Sequence, residues 1–226
     1  MGSLATFCYK IFYTLIYIYK LKCKISEPLA QASIVCLNIE NTNIFIITKV
    51  WSKFIMADML DAVLEKTSSF FTEKLKKGVM ITRIDEKSLI AWKETWDVIN
   101  KRQPPNGGWD WEYKNSSFNK NYGKYLIGIA VWSDDSLCGL ALCTRSKGNE
   151  VLSIHYIEGS PNESHHLRGN VFTIINSVLL EYATLIKAKT IRIIDPVDNL
   201  VDFYKSFGYK LSKKLLSRRK FCERGI

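Results

Sequence analysis

No Cys-x-x-Cys pair occurs in this chain, and none of its six cysteines, Cys8, Cys23, Cys36, Cys138, Cys143 and Cys222, has a histidine at zinc-ligand spacing. A structural zinc is therefore not expected, and a reduced, cytoplasmic chain without metal is the simplest account. The apolar run near the N-terminus, Ile11 to Tyr19, counts only nine residues between Lys10 and Lys20. A bilayer needs roughly 20, and no small-residue cleavage site follows closely, so neither a membrane anchor nor a cleaved leader is expected. The chain also lacks internal repeats, low-complexity blocks and a helix-turn-helix pair with a basic recognition helix. The last absence weighs against a DNA-binding regulator.

Acidic residues are in short supply: 22 Asp and Glu face 32 Lys and Arg, for a formal net charge of +10. Such a surface attracts polyanions, whether a nucleotide cofactor, RNA, DNA or an acidic membrane surface. Part of the excess is local, because "LSKKLLSRRK" (Leu211 to Lys220) holds five cations and no acid. That run reads as a solvated hairpin or as an RNA or phosphate contact. With 47% hydrophobic and 24% charged residues the composition is globular, and 226 residues suffice for one core plus an extension.

Residues 1–55 read as an N-terminal extension or as the product of an upstream translation start, outside the native protein. They lack the turn punctuation and helix caps found later, and the compact domain is expected over 56–226. From Met56 the pattern changes. Leu60, Val63, Leu64, Phe70, Phe71 and Leu75 recur on one helical side, closed by Lys76, Lys77 and Gly78. "VMITRI" then reads as a strand, and Leu89, Trp92, Trp96 and Ile99 stand at helical spacing. "PPNGG" stops that helix, and "WDWEYKNSSFNKNYG" reads as a polar, aromatic loop. "KYLIGIAVW", "SLCGLALCTR" and "EVLSIHYIEG" follow as an antiparallel meander, with Cys138 and Cys143 as small core residues. The longest helical pattern, Gly169 to Lys187, carries Val171, Ile174, Ile175, Val178, Tyr182, Leu185 and Ile186 on one face. "TIRIID" is apolar enough for a buried strand. "NLVDFYKSFG" is a short helix stopped by Gly208, and "YKLS" and "KFCERGI" close the sheet.

That order, with "EVLSIHYIEGSP", "HHLRGNVFTII", "KTIRIID" and "NLVDFYKSFGYK" in succession, resembles the GNAT superfamily of acyl-CoA-dependent N-acetyltransferases from about Val79 onward. The resemblance implies an α+β fold: a mixed, mostly antiparallel sheet flanked by helices and splayed between its fourth and fifth strands, with acetyl-CoA as co-substrate in the splay. Its pyrophosphate would rest on main-chain N–H groups at the start of the long helix, where orphan donors and the helix dipole favour an anion.

The family pattern Q/R-x-x-G-x-G/A fits "HHLRGNVFT" in two registers. One aligns His166, Gly169 and Val171; it keeps one glycine and the apolar phase of the helix. The other aligns Arg168, Val171 and Thr173 and fits the distance to the next strand better. The first is preferred, with His166, Leu167, Arg168, Gly169, Asn170 and Val171 forming the loop. In either register Val171 departs from the pattern, its branched side chain narrowing the approach to the phosphates, with Arg168 offsetting this by direct contact.

By the same resemblance the main-chain groups of Tyr156 and Ile157 would pair with the pantetheine arm, and Tyr204, four residues ahead of Gly208, would be the general acid that protonates the departing thiolate. An amine must lose a proton before it can attack a thioester. Glu158 is the first candidate to accept that proton, with His155 and Glu112 as alternatives. In this family the segment holding "PPNGGWDWEYKN" usually lines the acceptor site. Trp109 and Trp111 would supply flat apolar walls there, and Asp110 and Glu112 would hold a cationic amine. The expected acceptors are a small amine, a protein amine or an aminoacyl-tRNA; RNA contact and a homodimer are further partner expectations. The non-enzyme alternative is a GNAT-like binding module that has lost CoA binding through Val171.

Overall fold

A computed structural model describes residues 44–99, 101–212 and 219–226, with side chains described from Met59 onward. The expectations for residues 1–43 and for most of the basic run 211–220 lie outside these residues. Ser52–Ile226 forms one compact unit. The first described helix, α1 (Ile44–Leu75), runs through Met56, the expected start of the domain. Leu60, Val63, Leu64 and Phe71 are buried as their spacing requires, whereas Phe70 is 54% exposed. Successive helical residues lie about 100° apart, and Phe70 instead stacks edge-on against Phe71 at 5.1 Å.

The strands β1 (Val79–Thr82), β2 (Leu126–Ser133), β3 (Ser136–Arg145), β4 (Val151–Gly159), β5 (Thr190–Ile194), β6 (Lys210–Ser212) and β7 (Phe221–Gly225) form one sheet in the order β1-β2-β3-β4-β5-β7-β6. The pair β4/β5 is parallel and the others are antiparallel. Between strands lie α2 (Glu86–Ala91), widened into a π-helical turn at Trp92–Asp97, then α3 (Trp111–Tyr122), α4 (Val171–Ile186) and α5 (Val201–Ser206). The fold is α+β, as expected. No helix among the described residues is long and apolar enough to cross a membrane.

Both sheet faces are covered, which is why β2 and β3 read as nearly unbroken apolar runs. On one face Ile127, Ile129, Val131, Ala141 and Cys143 pack with α1 and α4. On the other, Ala130, Trp132, Leu140 and Leu142 meet Trp92, Trp96 and Trp111. Each of those indoles, fully buried, contributes about 2 to 3 kcal/mol of apolar transfer.

The segment expected to be a loop after "PPNGG" is α3. Its polar surface hides the apolar stripe, but Asp110 caps it by accepting from the Tyr113 N–H at 2.8 Å. On α4, Val171, Ile174, Ile175, Val178 and Tyr182 are buried, while Leu185 is 44% exposed in the last turn.

Candidate functional site

Strands β4 and β5 stay paired only from Val151–Thr190 to Ile154–Ile193. Beyond that point β4 continues to Gly159 while β5 ends at Ile194, so the two part company. The cause lies in the β3/β4 register. Leu142 pairs with Tyr156 and Cys143 with Ile154, which leaves His155 as an extra residue in a bulge. A bulge bends its strand and sharpens the local twist, and β4 turns away from β5 where the bulge sits. The β5-side edge of residues 155–159, including Tyr156 and Ile157, has no strand partner among the described residues. This is the splay between fourth and fifth strands that the resemblance implies. The fold is GNAT-like.

Solved structures similar to this chain include the ribosomal-protein-S18-alanine N-acetyltransferase of Escherichia coli, at 13% identity and TM-score 0.48, covering 66% of this chain and 94% of that one. The spermidine N-acetyltransferase SpeG of Vibrio cholerae is similar at 15% identity and TM-score 0.49, covering 65% and 93%. The PaiA N-acetyltransferase of Thermoplasma acidophilum, solved with coenzyme A, is similar at 17% identity and TM-score 0.39, covering 66% and 99%. No protein-family model and no curated protein matches the sequence.

Across the GNAT-like splay, the start of α4 offers a set of unused donors. Its N-cap, Asn170, makes no capping hydrogen bond through its side chain. The N–H of Ile174 bonds to Asn170 O, that of Asn170 to Leu167 O and that of Arg168 to His165 O. The N–H groups of Gly169, Val171, Phe172 and Thr173 have no acceptor among the described residues. Gly169 has φ +78, a conformation that costs a residue with a Cβ roughly 1–2 kcal/mol, and the space beside it is open.

Val171 takes a direction different from the expected one. Its side chain turns into the sheet and is 8% exposed. A Cβ at Gly139 would stand 2.4 Å from its Cγ1, and one at Gly159 would stand 3.8 Å from its Cγ2. The valine branches fill the space that Gly139 leaves open, not the space in front of the helix N–H groups. Leu167 is fully buried beneath the loop.

Beside this helix start opens a cavity of about 400 Å³ whose cationic lining is Lys101, Arg102 and Arg168. The acid Glu163, also in the lining, is paired with Arg168 at 3.3 Å. His165 also lines it, with Nδ1 buried and without a partner among the described residues. Burial, reinforced by Arg168 and His166, lowers the His165 pKa and favours the neutral ring. The expected loop residue is the neighbouring His166, whose side chain is 62% exposed and 3.7 Å from Asp134. The spacing alone cannot tell which of two adjacent histidines turns inward.

Tyr204, on α5, is 4% exposed and lies 5.1 Å from the Phe172 ring, one residue into α4. Burial pushes its phenol up to about 12, so it is proton-bearing at neutral pH. Its hydroxyl has no hydrogen-bond partner among the described residues. Phe203 and Phe207 stack on Phe172 at 5.2 and 4.9 Å.

The expected proton acceptor is differently placed from its reading as a group facing the splay. The Glu158 side chain is 1% exposed. Its Oε1 accepts from Gly108 N–H at 2.8 Å and pairs with Arg102 at 2.9 Å, while Oε2 accepts from Trp111 Nε1 at 2.8 Å. Arg102 also donates to Gly159 O at 2.8 Å. Glu158 thus fastens the 102–111 segment to the end of β4. The other acceptor-site candidates also have structural engagements. Trp111 is fully buried. Asp110 caps α3, and the exposed Glu112 lies 3.4 Å from Lys93.

Trp109 is partly exposed against Tyr156, with ring centroids 5.3 Å apart. Lys114 lies over the Tyr156 ring at 4.5 Å and donates to its hydroxyl at 3.0 Å. His155, in the bulge, contacts Thr144 Oγ1 at 2.9 Å and packs on Phe118 and Tyr122. Burial, aided by Arg219, pushes its pKa down to about 4.

Of the basic C-terminal run, Arg219 lies 3.9 Å from Asp195 and Lys220 is paired with Asp198. Among the described residues no group of His, Cys, Asp or Glu is arranged to hold a metal ion. Cys138, Cys143 and Cys222 are buried and free.

Proposed function

We propose that this chain is an N-acetyltransferase that moves an acetyl group from acetyl-CoA to a primary amine. The observation that carries the reading is the set of unpartnered N–H groups at Gly169, Val171, Phe172 and Thr173, beside an open glycine and a cationic cavity. Such a helix start is an anion site by its donors and dipole. The register through His166, Gly169 and Val171 suits it, since α4 begins at Val171. Acetyl-CoA supplies the activated acyl group; this chain's residues hold and orient it.

The main-chain N–H groups would take the pyrophosphate, with Arg168 and the neutral His165 as further donors. The unpaired edge at Tyr156 and Ile157 would take the pantetheine amides as a strand takes a strand. Tyr204, beside Phe172 and proton-bearing to about pH 12, would donate its proton to the thiolate as the amine nitrogen bonds to the acetyl carbon and the C–S bond breaks. Glu158 would hold the acceptor-side segment in place. Proton removal from the amine would pass to water, because His155, with its pKa pushed down to about 4, is too weak a base and the Glu158 carboxylate is already engaged by three donors.

The partly exposed Trp109, Phe118 and Tyr156, with Lys114 among them, favour an acceptor whose amine is carried on an apolar or aromatic body. Thiol release from acetyl-CoA, measured over a panel of aromatic amines, polyamines, peptides and aminoacyl-tRNA, tests this reading. Amine-dependent release that falls in Tyr204→Phe is the expected result. Release that no amine stimulates would support the binding-module alternative.

A further inference from the structure

A second cavity, of about 450 Å³, is lined by hydrogen-bond donors: Arg83, Lys124, Arg145, Asn115, Asn119 and Tyr182. Leu60 and Ile127 are among its apolar walls, and among the described residues no carboxylate lines it. At its edge Asp61, 56% exposed, accepts from Arg83 Nε at 2.7 Å. Arg145 is held from several sides. It donates to Asn149 Oδ1 and to Lys124 O, and its guanidinium lies 5.0 Å over the Tyr125 ring. The cation is thereby positioned before any ligand arrives, which lowers the ordering cost of binding.

Tyr182 is 2% exposed, and its hydroxyl has no hydrogen-bond partner among the described residues. Burial raises its pKa, with Arg145 and Arg83 as the opposing charges. Tyr182 lines the cavity beside Arg83 and Arg145, so its hydroxyl is placed to donate to an acceptor that enters there.

We propose that this cavity binds an oxyanion, a phosphate or carboxylate group carried on a small apolar body. Cations and neutral donors supply the charge match, and the aliphatic walls supply the apolar contact. The site is separate from the proposed acyl-CoA cradle. Tyr182 stands eleven residues along α4 from Val171, about 16 Å at the helical rise. The inference does not depend on the acyl-transfer reading.

Isothermal titration of the full chain with inorganic phosphate, phenyl phosphate and benzoate, at constant ionic strength, tests it. Phenyl phosphate or benzoate should bind saturably, and about tenfold tighter than inorganic phosphate because the ring is also buried. Arg145→Gln and Tyr182→Phe should each weaken binding about tenfold, with Arg168→Gln leaving it unchanged. Tyr182→Phe retains the ring and its packing, so circular dichroism should match the wild type. Which of the two aromatic probes binds tighter separates a phosphate site from a carboxylate site. The proposal is overturned if the folded protein binds none of the three. It is equally overturned if Arg168→Gln abolishes binding while Tyr182→Phe leaves it intact, since the anion would then sit by the cradle.

Discussion

Replacing Glu158 by glutamine removes one charge and turns one acceptor into a donor, so it separates an anchoring role from a proton-accepting one. In the wild type, Gly108 N–H, Arg102 and Trp111 Nε1 all donate to this side chain, which is 1% exposed. The amide oxygen can serve only one side of that arrangement, leaving its NH2 facing a donor. An unsatisfied buried donor costs about 1–3 kcal/mol, and turning charge-assisted bonds into neutral ones costs about 1 kcal/mol more. Because Arg102 keeps 35% of its side chain exposed, the guanidinium recovers part of its hydration. The net expectation is a loss of about 2–4 kcal/mol, or a fall in Tm of about 5–12 °C for a unit of this size.

Urea unfolding followed by tryptophan fluorescence suits the test, because Trp111 itself reports the site. A second arm, Arg102→Gln combined with Glu158→Gln, should cost less than the two single changes together, since the partners are coupled. If Glu158→Gln unfolds within 0.5 kcal/mol of the wild type while turnover falls a hundredfold, the anchoring account is refuted and Glu158 is the proton acceptor.

Tyr204→Phe should leave acetyl-CoA affinity within about twofold and lower kcat by about 10²–10⁴, read by thiol release at saturating substrate. Because the folded phenol titrates near 12 against 10 unfolded, its contribution to stability is fully present below pH 10 and is lost as pH rises toward 12; wild-type Tm should fall across that window more steeply than that of Tyr204→Phe. His155 has the opposite dependence. Its folded pKa of about 4 lies below the ordinary 6.5, so the stability it contributes is present above pH 6.5 and lost as pH falls toward 4, a slope that His155→Gln should flatten in acid unfolding curves. Gly139→Ala should cost about 1–3 kcal/mol, because the new methyl meets Val171 Cγ1. Adding Val171→Ala should recover part of that loss in chemical denaturation.

The strand order and the long helix were readable because their side-chain patterns follow from burial. β2 and β3, covered on both faces, give continuous apolar runs, and α4 shows one apolar stripe through Val171, Ile174, Ile175, Val178 and Tyr182. α3 was not readable as a helix, since its asparagines, serines and lysines have little apolar periodicity; the signal present was Asp110 as a cap and Gly123 as a stop. The start of α1 at Ile44 was hidden by β-branched residues that read as an extension.

At the site, the loop ahead of α4 was found from glycine and cation placement, but the direction of Val171 was not. It depends on Gly139 and Gly159, far away in sequence, leaving room beneath the helix. Glu158 was singled out as a carboxylate at a strand end. Its donors come from Arg102, Gly108 and Trp111, a long-range closure that residue spacing does not encode.

The central claim is that the N-terminus of α4 receives acetyl-CoA. Isothermal titration of acetyl-CoA into the full chain, beside Gly169→Trp, tests it most directly, because Gly169 has open space in which an indole would cover the free N–H groups. Saturable binding at one site, lost in the folded variant, is the predicted result. A folded wild type that binds no acetyl-CoA, or a Gly169→Trp variant that binds it equally well, would contradict the account.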